Sequence, residues 1–489
     1  MSVIHAPRTP RLKPLVLAVL GTLTVANGLA SPLAIDTTAS PRPMTEPAVP
    51  EGTKTWIIEN CNDNGPGSLR WVIDTQAGSG DTIDLSGLTC STITLETGVI
   101  RIPQDEIFLV GPSADQLAID GDDRSPVFEH DGSSGFLING LTVRNGRNEP
   151  AAGPARGGCI ASSGTVFLMN AAVRDCTARV DGDRNAMGGG VYAAAGLYLD
   201  GTSITGNRVL SDGPANLSGF GVGGGVFSMG RAEFNRTTIA GNTARGADNG
   251  LKGQSGGAWV FGGGAARNTT IANNIAGSNG GLLMMDAMYG DPIDIVSSTI
   301  SGNVAAESVI GAGLYVGMTS QLTVINSTIT LNIERNAKNV PYGAGLLLGN
   351  GDIPTHIANS IIAGNLLDDG SGGLSSDIGS GGTTTAVSGS HNLIGYSPLQ
   401  LPADTISDEP MLGALADNGG PTWTHALPPD SPAVDAGDDN GHEYDQRGKG
   451  FPRIIGKAAD IGAYELGELE TGDEIFLDGF ELCAGCPSH

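Results

Sequence analysis

Four charged residues, Asp200, Glu233, Arg267 and Asp294, recur at related positions of successive sequence repeats and are the chain's best candidates for acid–base chemistry. If the repeats are strands stacked about 4.8 Å apart, the backbones of Glu233 and Asp294 lie roughly 10 Å from each other. Two carboxylates about 6.5–9.5 Å apart suit inverting glycoside hydrolysis, one as general acid and the other as general base for water. Arg267 falls between them, however, and supports a second reading, ordinary surface ion pairing. A further acidic cluster, Asp435, Asp438, Asp439, Glu443 and Asp445, is interleaved with Gly437 and Gly441. Calcium takes about six to eight oxygens and is the one cofactor this cluster suggests. The spacing is not that of an EF-hand, and Asx-turns account for the same residues. The seven His are scattered. None pairs with another at metal-ligand spacing, and no Ser-His-Asp or Cys-His nucleophile set is legible.

The elements that must position these residues are marked by a recurring phrase: SITGN at 203, TIAGN at 238, TIANN at 270, TISGN at 299, TITLN at 328 and IIAGN at 361. Its last residue gives an anchor column of Asn207, Asn242, Asn274, Asn303, Asn332 and Asn365, and two earlier copies put Gly146 and Cys176 in the same slot, at spacings of 29–35 residues. A repeat of this length marks a solenoid, whose units bury their apolar faces only against their neighbours. Three residues before the anchor stand Val143, Val173, Ile204, Ile239, Ile271, Ile300, Ile329 and Ile362, all β-branched. The columns ten and eight before it are mostly apolar, as in Phe136 and Ile138 or Ile293 and Ile295. They share a parity and point inward along one strand. The expected fold is all-β, a right-handed parallel β-helix. Asp200, Glu233, Arg267 and Asp294 belong to the alternate, outward columns.

The Asn anchors read as structural. Asn tolerates the left-handed backbone that a strand-to-strand turn needs, and stacked amides hydrogen-bond along the axis. Asn170, Asn268, Asn326 and Asn359 form a second partial column, in which Asn268 and Asn326 also begin Asn-x-Ser/Thr sequences. The Gly-Gly pairs at 157, 189, 224, 256 and 280 lack the strand-to-helix context of a phosphate cradle and read as turns. The run Ser68-Leu69-Arg70-Trp71-Val72-Ile73 predicts a short amphipathic helix, N-capped by Ser68, that plugs the first coil and protects its strand edge.

Composition agrees with many short strands: 76 Gly, 39% apolar and only 16% charged residues among 489. Arg8, Arg11 and Lys13, an apolar stretch over 15–29 and small residues before Ser31 predict a cleaved export signal at 1–30. A Pro/Thr-rich linker follows over 31–54, then the amino-terminal cap and first coils over 55–110 and the repeats over 111–395. A carboxy-terminal β-rich module occupies 396–466 and an acidic tail 467–489. No later stretch is long enough for a membrane helix. The net charge is −26 and excludes nucleic acid as an expected partner. In an exported chain the six Cys read as disulfide candidates. Several connectivities are open; the local pairs Cys61 with Cys90, Cys159 with Cys176, and Cys483 with Cys486 are the ones expected here.

Residues 61–95 resemble the entry motif of exported CSLREA-type β-helix proteins, matching it at Ser68, Leu69, Arg70 and Ile73. Gly67, Trp71 and Val72 replace that motif's Cys, Glu and Ala. The GG-x-V/L and T-I-x-G-N phrases are similar to repeats of polymorphic outer-membrane proteins, in the pectin-lyase-like superfamily. Asp417-Asn418-Gly419-Gly420-Pro421-Thr422, Ser431-Pro432-Ala433-Val434-Asp435-Ala436-Gly437, Asp445-Gln446-Arg447-Gly448 and Asp460-Ile461-Gly462-Ala463-Tyr464-Glu465 resemble the choice-of-anchor Q module. These resemblances imply a β-helix placed outside the cell or at its outer surface, and they supply no catalytic residues. Two functions follow as expectations. One is a non-catalytic secreted or surface scaffold, adhesive or structural, meeting an extracellular glycan or a cell-surface component. The alternative is a polysaccharide lyase or glycoside hydrolase.

Overall fold

Alternation builds the coils. In Ile293–Val296 the two Ile are buried while Asp294 and Val296 turn outward, and the same pattern is repeated in Leu322–Ile325. A computed structural model describes residues 52–467, other than 213–218, 248–251, 287–289, 308–309, 336–342, 350, 369 and 371–372. The export signal, almost all of the linker, and Cys483 and Cys486 lie outside the described residues.

One coil runs through Gly135–Asn139, Thr142–Arg144, Arg147–Asn148, Ala155–Arg156 and Ile160–Ser162, and the next opens with Thr165–Met169. Stacking these strands gives four long sheets. The first has 11 strands, from Thr55–Ile57 to Thr355–Ala358, and the second also has 11, from Thr92–Thr94 to Leu393–Ile394. The third has nine and the fourth ten, with a four-stranded strip between them. Pairing between the named strands of the coils is parallel, except where Leu374–Ser375 closes the third sheet antiparallel. The result is a right-handed parallel β-helix of about 10 turns.

The β-branched column pairs in register, Ile271 with Ile300 and Ile300 with Ile329. Its eight members are fully buried or nearly so. Each such side chain contributes about 1.5–3 kcal/mol relative to an exposed one.

The Asn anchors form the ladder, with one correction. Asn242 donates its main-chain and side-chain N–H groups to Oδ1 of Asn274 at 2.9 and 3.0 Å, and Asn274 repeats this to Asn303. The anchors themselves do not take the left-handed conformation. It falls one residue earlier, at Gly206, Gly241, Asn273, Gly302, Leu331 and Gly364, and also in the column of Asn170, Asn268, Asn326 and Asn359. The anchor amides point into the coil instead. This explains the second glycine at Gly190, Gly225, Gly257 and Gly281: a Cβ on Gly281 would lie 3.0 Å from the amide of Asn303 and 2.4 Å from the carbonyl of Gly313, whereas one on Gly158 would meet the Gly189 carbonyl and the Thr177 backbone.

The amino-terminal end is covered as the residues suggest. The helix Leu69–Thr75 buries Leu69, Val72 and Ile73, and Ser68 Oγ accepts from the Trp71 N–H. Cys61–Cys90 and Cys159–Cys176 are disulfides. Cys176 occupies the anchor slot and donates its N–H to Asn207 Oδ1, so the second disulfide stands at the amino end of the ladder.

Two features override simple alternation. Outward residues of the fourth sheet, Tyr192, Phe227, Trp259 and Leu283, pair in register yet are buried under a second apolar layer that includes Phe220, Met229 and Phe261. Tyr192 and Phe227 stack with ring centroids 5.6 Å apart. Secondly, the carboxy-terminal segment contains the two-stranded pair Leu415–Ala416 and Thr424–His425, with isolated bridges at Gln400, Ile406, Tyr444 and Pro452 and the rest in turns, bends and irregular chain. It lies across the outer side of the second sheet.

Candidate functional site

That crossing segment is held by the outward Thr, Ser and Asn side chains of the second sheet and its flanking turns. Thr299 donates to Gln446 Oε1 at 2.6 Å, while Gln446 Nε2 donates to Thr270 Oγ1 at 2.9 Å. His425 Nε2 meets Ser301 Oγ at 2.8 Å and its Nδ1 meets the Gly413 carbonyl. The Gly413 carbonyl can only accept, so Nδ1 donates to it, and burial lowers the pKa of this imidazole. Asn268 donates to the Gln446 carbonyl and Asn359 to the Asp460 carbonyl. Asn326 and Asn359 are fully buried. The Asn-x-Ser/Thr sequences at 268 and 326 are therefore docking points of the segment.

The outward charged patch is organised as ion pairs. Glu233 is 1% exposed. Its Oε1 accepts from Arg231 Nε at 2.9 Å and its Oε2 from Arg267 Nη1 at 2.6 Å. Arg267 reaches on to Asp294 at 3.4 Å. The register Glu233–Ala265–Asp294 confirms the two-strand separation of the acids. Asp200 does not join this chain of contacts. Both its oxygens accept from Arg236, at 2.8 and 2.6 Å, in a bidentate pair that raises the Arg236 pKa. Sequence reasoning missed Arg231 and Arg236. Arg231 precedes Glu233 by two residues and so shares its face, which is a signal that was available.

The five acidic residues of the calcium-candidate cluster meet separate partners, with Glu443 accepting from the Tyr444 hydroxyl. Asp435 Oδ1 accepts from the Lys457 and Ala458 amides, Asp438 from Asn440 and Asp439 from Gly441. Asp445 is fully buried and binds the Arg447 guanidinium and the Glu465 amide. Among the described residues no three His, Cys, Asp or Glu side chains gather in a metal-holding group. Asp438, Asp439 and Asp445 each form an Asx-turn by accepting from the amide two residues on, while Asp435 ties the bend at 457–458.

Where the segment's loop 442–449 meets the turns between the first and second sheets, a cleft of about 720 Å³ opens. Arg236 and Arg267 line one wall and His442, Arg447 and Lys449 the other, with Glu443 the single lining carboxylate. Arg447 is clamped between the rings of Phe451 and Tyr464, at 4.1 and 3.9 Å. Burial lowers the His442 pKa, and the charge of Arg453 lowers it further. Sequence reasoning missed this cleft because its walls, Arg236 and Arg267 on one side and residues 442–449 on the other, are 175–213 residues apart in the chain.

No family model matches the chain, and no curated protein matches it. Among solved structures it is similar to the crystal structure of pectate lyase Pel9A, at 12% identity and a TM-score of 0.44, over 84% of this chain and 96% of that one. At that level the likeness assigns neither a residue nor an activity. Among the described residues no helix is long and apolar enough to cross a membrane.

Proposed function

We propose that the chain is an exported, non-catalytic β-helix scaffold, adhesive or structural, placed outside the cell or at its outer surface. The observation that carries this reading is the pairing of Glu233, a candidate acid, with two arginines at 2.9 and 2.6 Å. A general acid or base must be able to reach the proton it transfers. Glu233 is buried behind its partners, while Asp200 and Asp294 are each engaged by an arginine. The two disulfides suit an oxidising compartment. The resemblance to CSLREA-type and choice-of-anchor Q proteins supports surface placement. A polysaccharide lyase is the second reading, favoured by the cationic walls of the cleft, which would neutralise a uronate carboxylate.

The test is to incubate the full chain with pectate, alginate and neutral glycans, with and without calcium, and to follow chain length and new ends. The scaffold reading expects every polysaccharide to keep its length. Shortening of any of them would replace that reading with the enzyme.

A further inference from the structure

We infer that the cleft between the loop 442–449 and the turns of the coils is a binding site for a short acidic saccharide, carrying carboxylate or sulfate groups on a hydroxylated backbone. The site stands whether or not the chain is catalytic, because binding and turnover are read separately.

The charges at the cleft are arranged against the charge of the chain as a whole. A protein of net charge −26 lines one cavity with Arg236, Arg267, Arg447 and Lys449 and a single carboxylate, Glu443. The carboxylates that pair with these cations do not line it. Glu233 and Asp445 are buried beneath Arg267 and Arg447. A ligand therefore meets Arg236, Arg267 and Lys449 first, with Asp200 and Asp294 beside them outside the lining and Arg447, 5% exposed, backing the wall. Those acids fix the guanidiniums in place, which lowers the ordering cost of binding.

Donors remain for a ligand. Arg236 uses Nε and Nη2 on Asp200, which leaves Nη1, and its side chain is 57% exposed. Lys449 is exposed and forms no ion pair among the described residues. Arg236 and Arg267 rise from neighbouring coils, since Asn235 pairs with Arg267, and Lys449 faces them from the opposite wall. Asn170 and Ser297, in the turns of the same wall, add neutral polar groups for hydroxyls.

Size and charge narrow the ligand class. A volume of 720 Å³ falls within the range of about 300–1,000 Å³ typical of small-ligand sites and far exceeds one inorganic ion. Cations on both walls call for a ligand with more than one anionic group. A long polyanion would be repelled by the remaining surface, so a short oligomer or a chain end fits best.

The experiment is isothermal titration of the full chain with trigalacturonate, a sulfated trisaccharide, neutral cellotriose and sodium sulfate. The inference expects saturable one-site binding of at least one acidic trisaccharide, none of cellotriose, and weakening by added salt. Carboxylated or sulfated ligand binding alone would identify the source of the anionic group. Lys449→Glu and Arg236→Gln should each weaken that binding about tenfold, as expected for loss of one charge-assisted hydrogen bond, with the Lys449→Glu melting temperature unchanged. No saturable binding of either acidic trisaccharide, sulfate binding as tight as the trisaccharide, or unaltered affinity in both variants would overturn it.

Discussion

Asp377 Oδ1 accepts both the main-chain and the side-chain N–H of Asn365, at 2.9 and 2.8 Å, and so closes the asparagine ladder with a carboxylate. Its Oδ2 accepts from the Tyr396 amide and the Ser375 hydroxyl. Burial raises the Asp377 pKa, against the pull of these donors. Asp377→Ala should leave buried donors without an acceptor and cost about 3 kcal/mol. Asp377→Asn keeps Oδ1 and should cost less. Denaturant unfolding showing Asp377→Ala as stable as wild type would remove the ladder from the account of stability.

The ladder also dictates glycine. Gly281→Ala should destabilise clearly, because its Cβ would press on the Gly313 carbonyl and the Asn303 amide. Gly87→Ala meets nothing within 4 Å and should melt like wild type. Ile300→Asp places an unpaired charge at a fully buried position, costing several kcal/mol. Equal melting temperatures for all three variants would mean the register is wrong.

Leu331 is an exception that can be improved. It has φ 57° where the other coils use Gly, Asn or Asp, and it is 52% exposed. A left-handed conformation costs an ordinary residue about 1–2 kcal/mol, and little burial is lost by replacing it. Leu331→Asn should raise stability by about 1 kcal/mol. A lower melting temperature would show that Leu331 packs in a way its exposure hides.

The inward columns were legible in the sequence because burial and stacking both demand β-branched residues with period two. Ile300, Ile329 and their column needed nothing from outside the repeat. The left-handed position was not legible from Asn alone: asparagine suits both an inward amide ladder and a positive φ, and the two adjoin at Asn273 and Asn274. The outer stack of Tyr192, Phe227 and Trp259 was hidden because outward positions are expected to meet solvent. The patch was visible as Glu233, Arg267 and Asp294, but its meaning depended on Arg231 and on depth. The docking of residues 422–463 on Thr270, Thr299 and Thr328 has no local signature, since partners such as Thr299 and Gln446 are 147 residues apart.

The docked segment should respond to pH. Burial, with the charge of Asp460 beside it, pushes the Glu465 carboxyl up to about 7 from 4.5. A carboxyl raised on folding favours the folded state while protonated, so this contribution is full below about pH 4.5 and lost as pH rises through about 7. His425 acts in the opposite sense: its lowered pKa means stability lost as pH falls below the ordinary imidazole value. Amide exchange at residues 455–463 should therefore quicken between about pH 5 and 8, once corrected for its intrinsic pH dependence. Glu465→Gln should flatten that rise, and an identical profile would rule out Glu465 as its source.

The central claim is that Glu233 is an internal counter-ion and not a catalyst, and Glu233→Gln tests it most directly when stability and turnover are measured on the same preparation. Removing the shared charge leaves Arg231 and Arg267 with only their longer contacts to Asp291 and Asp294, a loss of about 3 kcal/mol at this largely buried carboxylate. The account predicts a clearly lowered melting temperature and no depolymerisation of pectate or alginate by either form. Cleavage by wild type, abolished in a Glu233→Gln protein that melts unchanged, would contradict it.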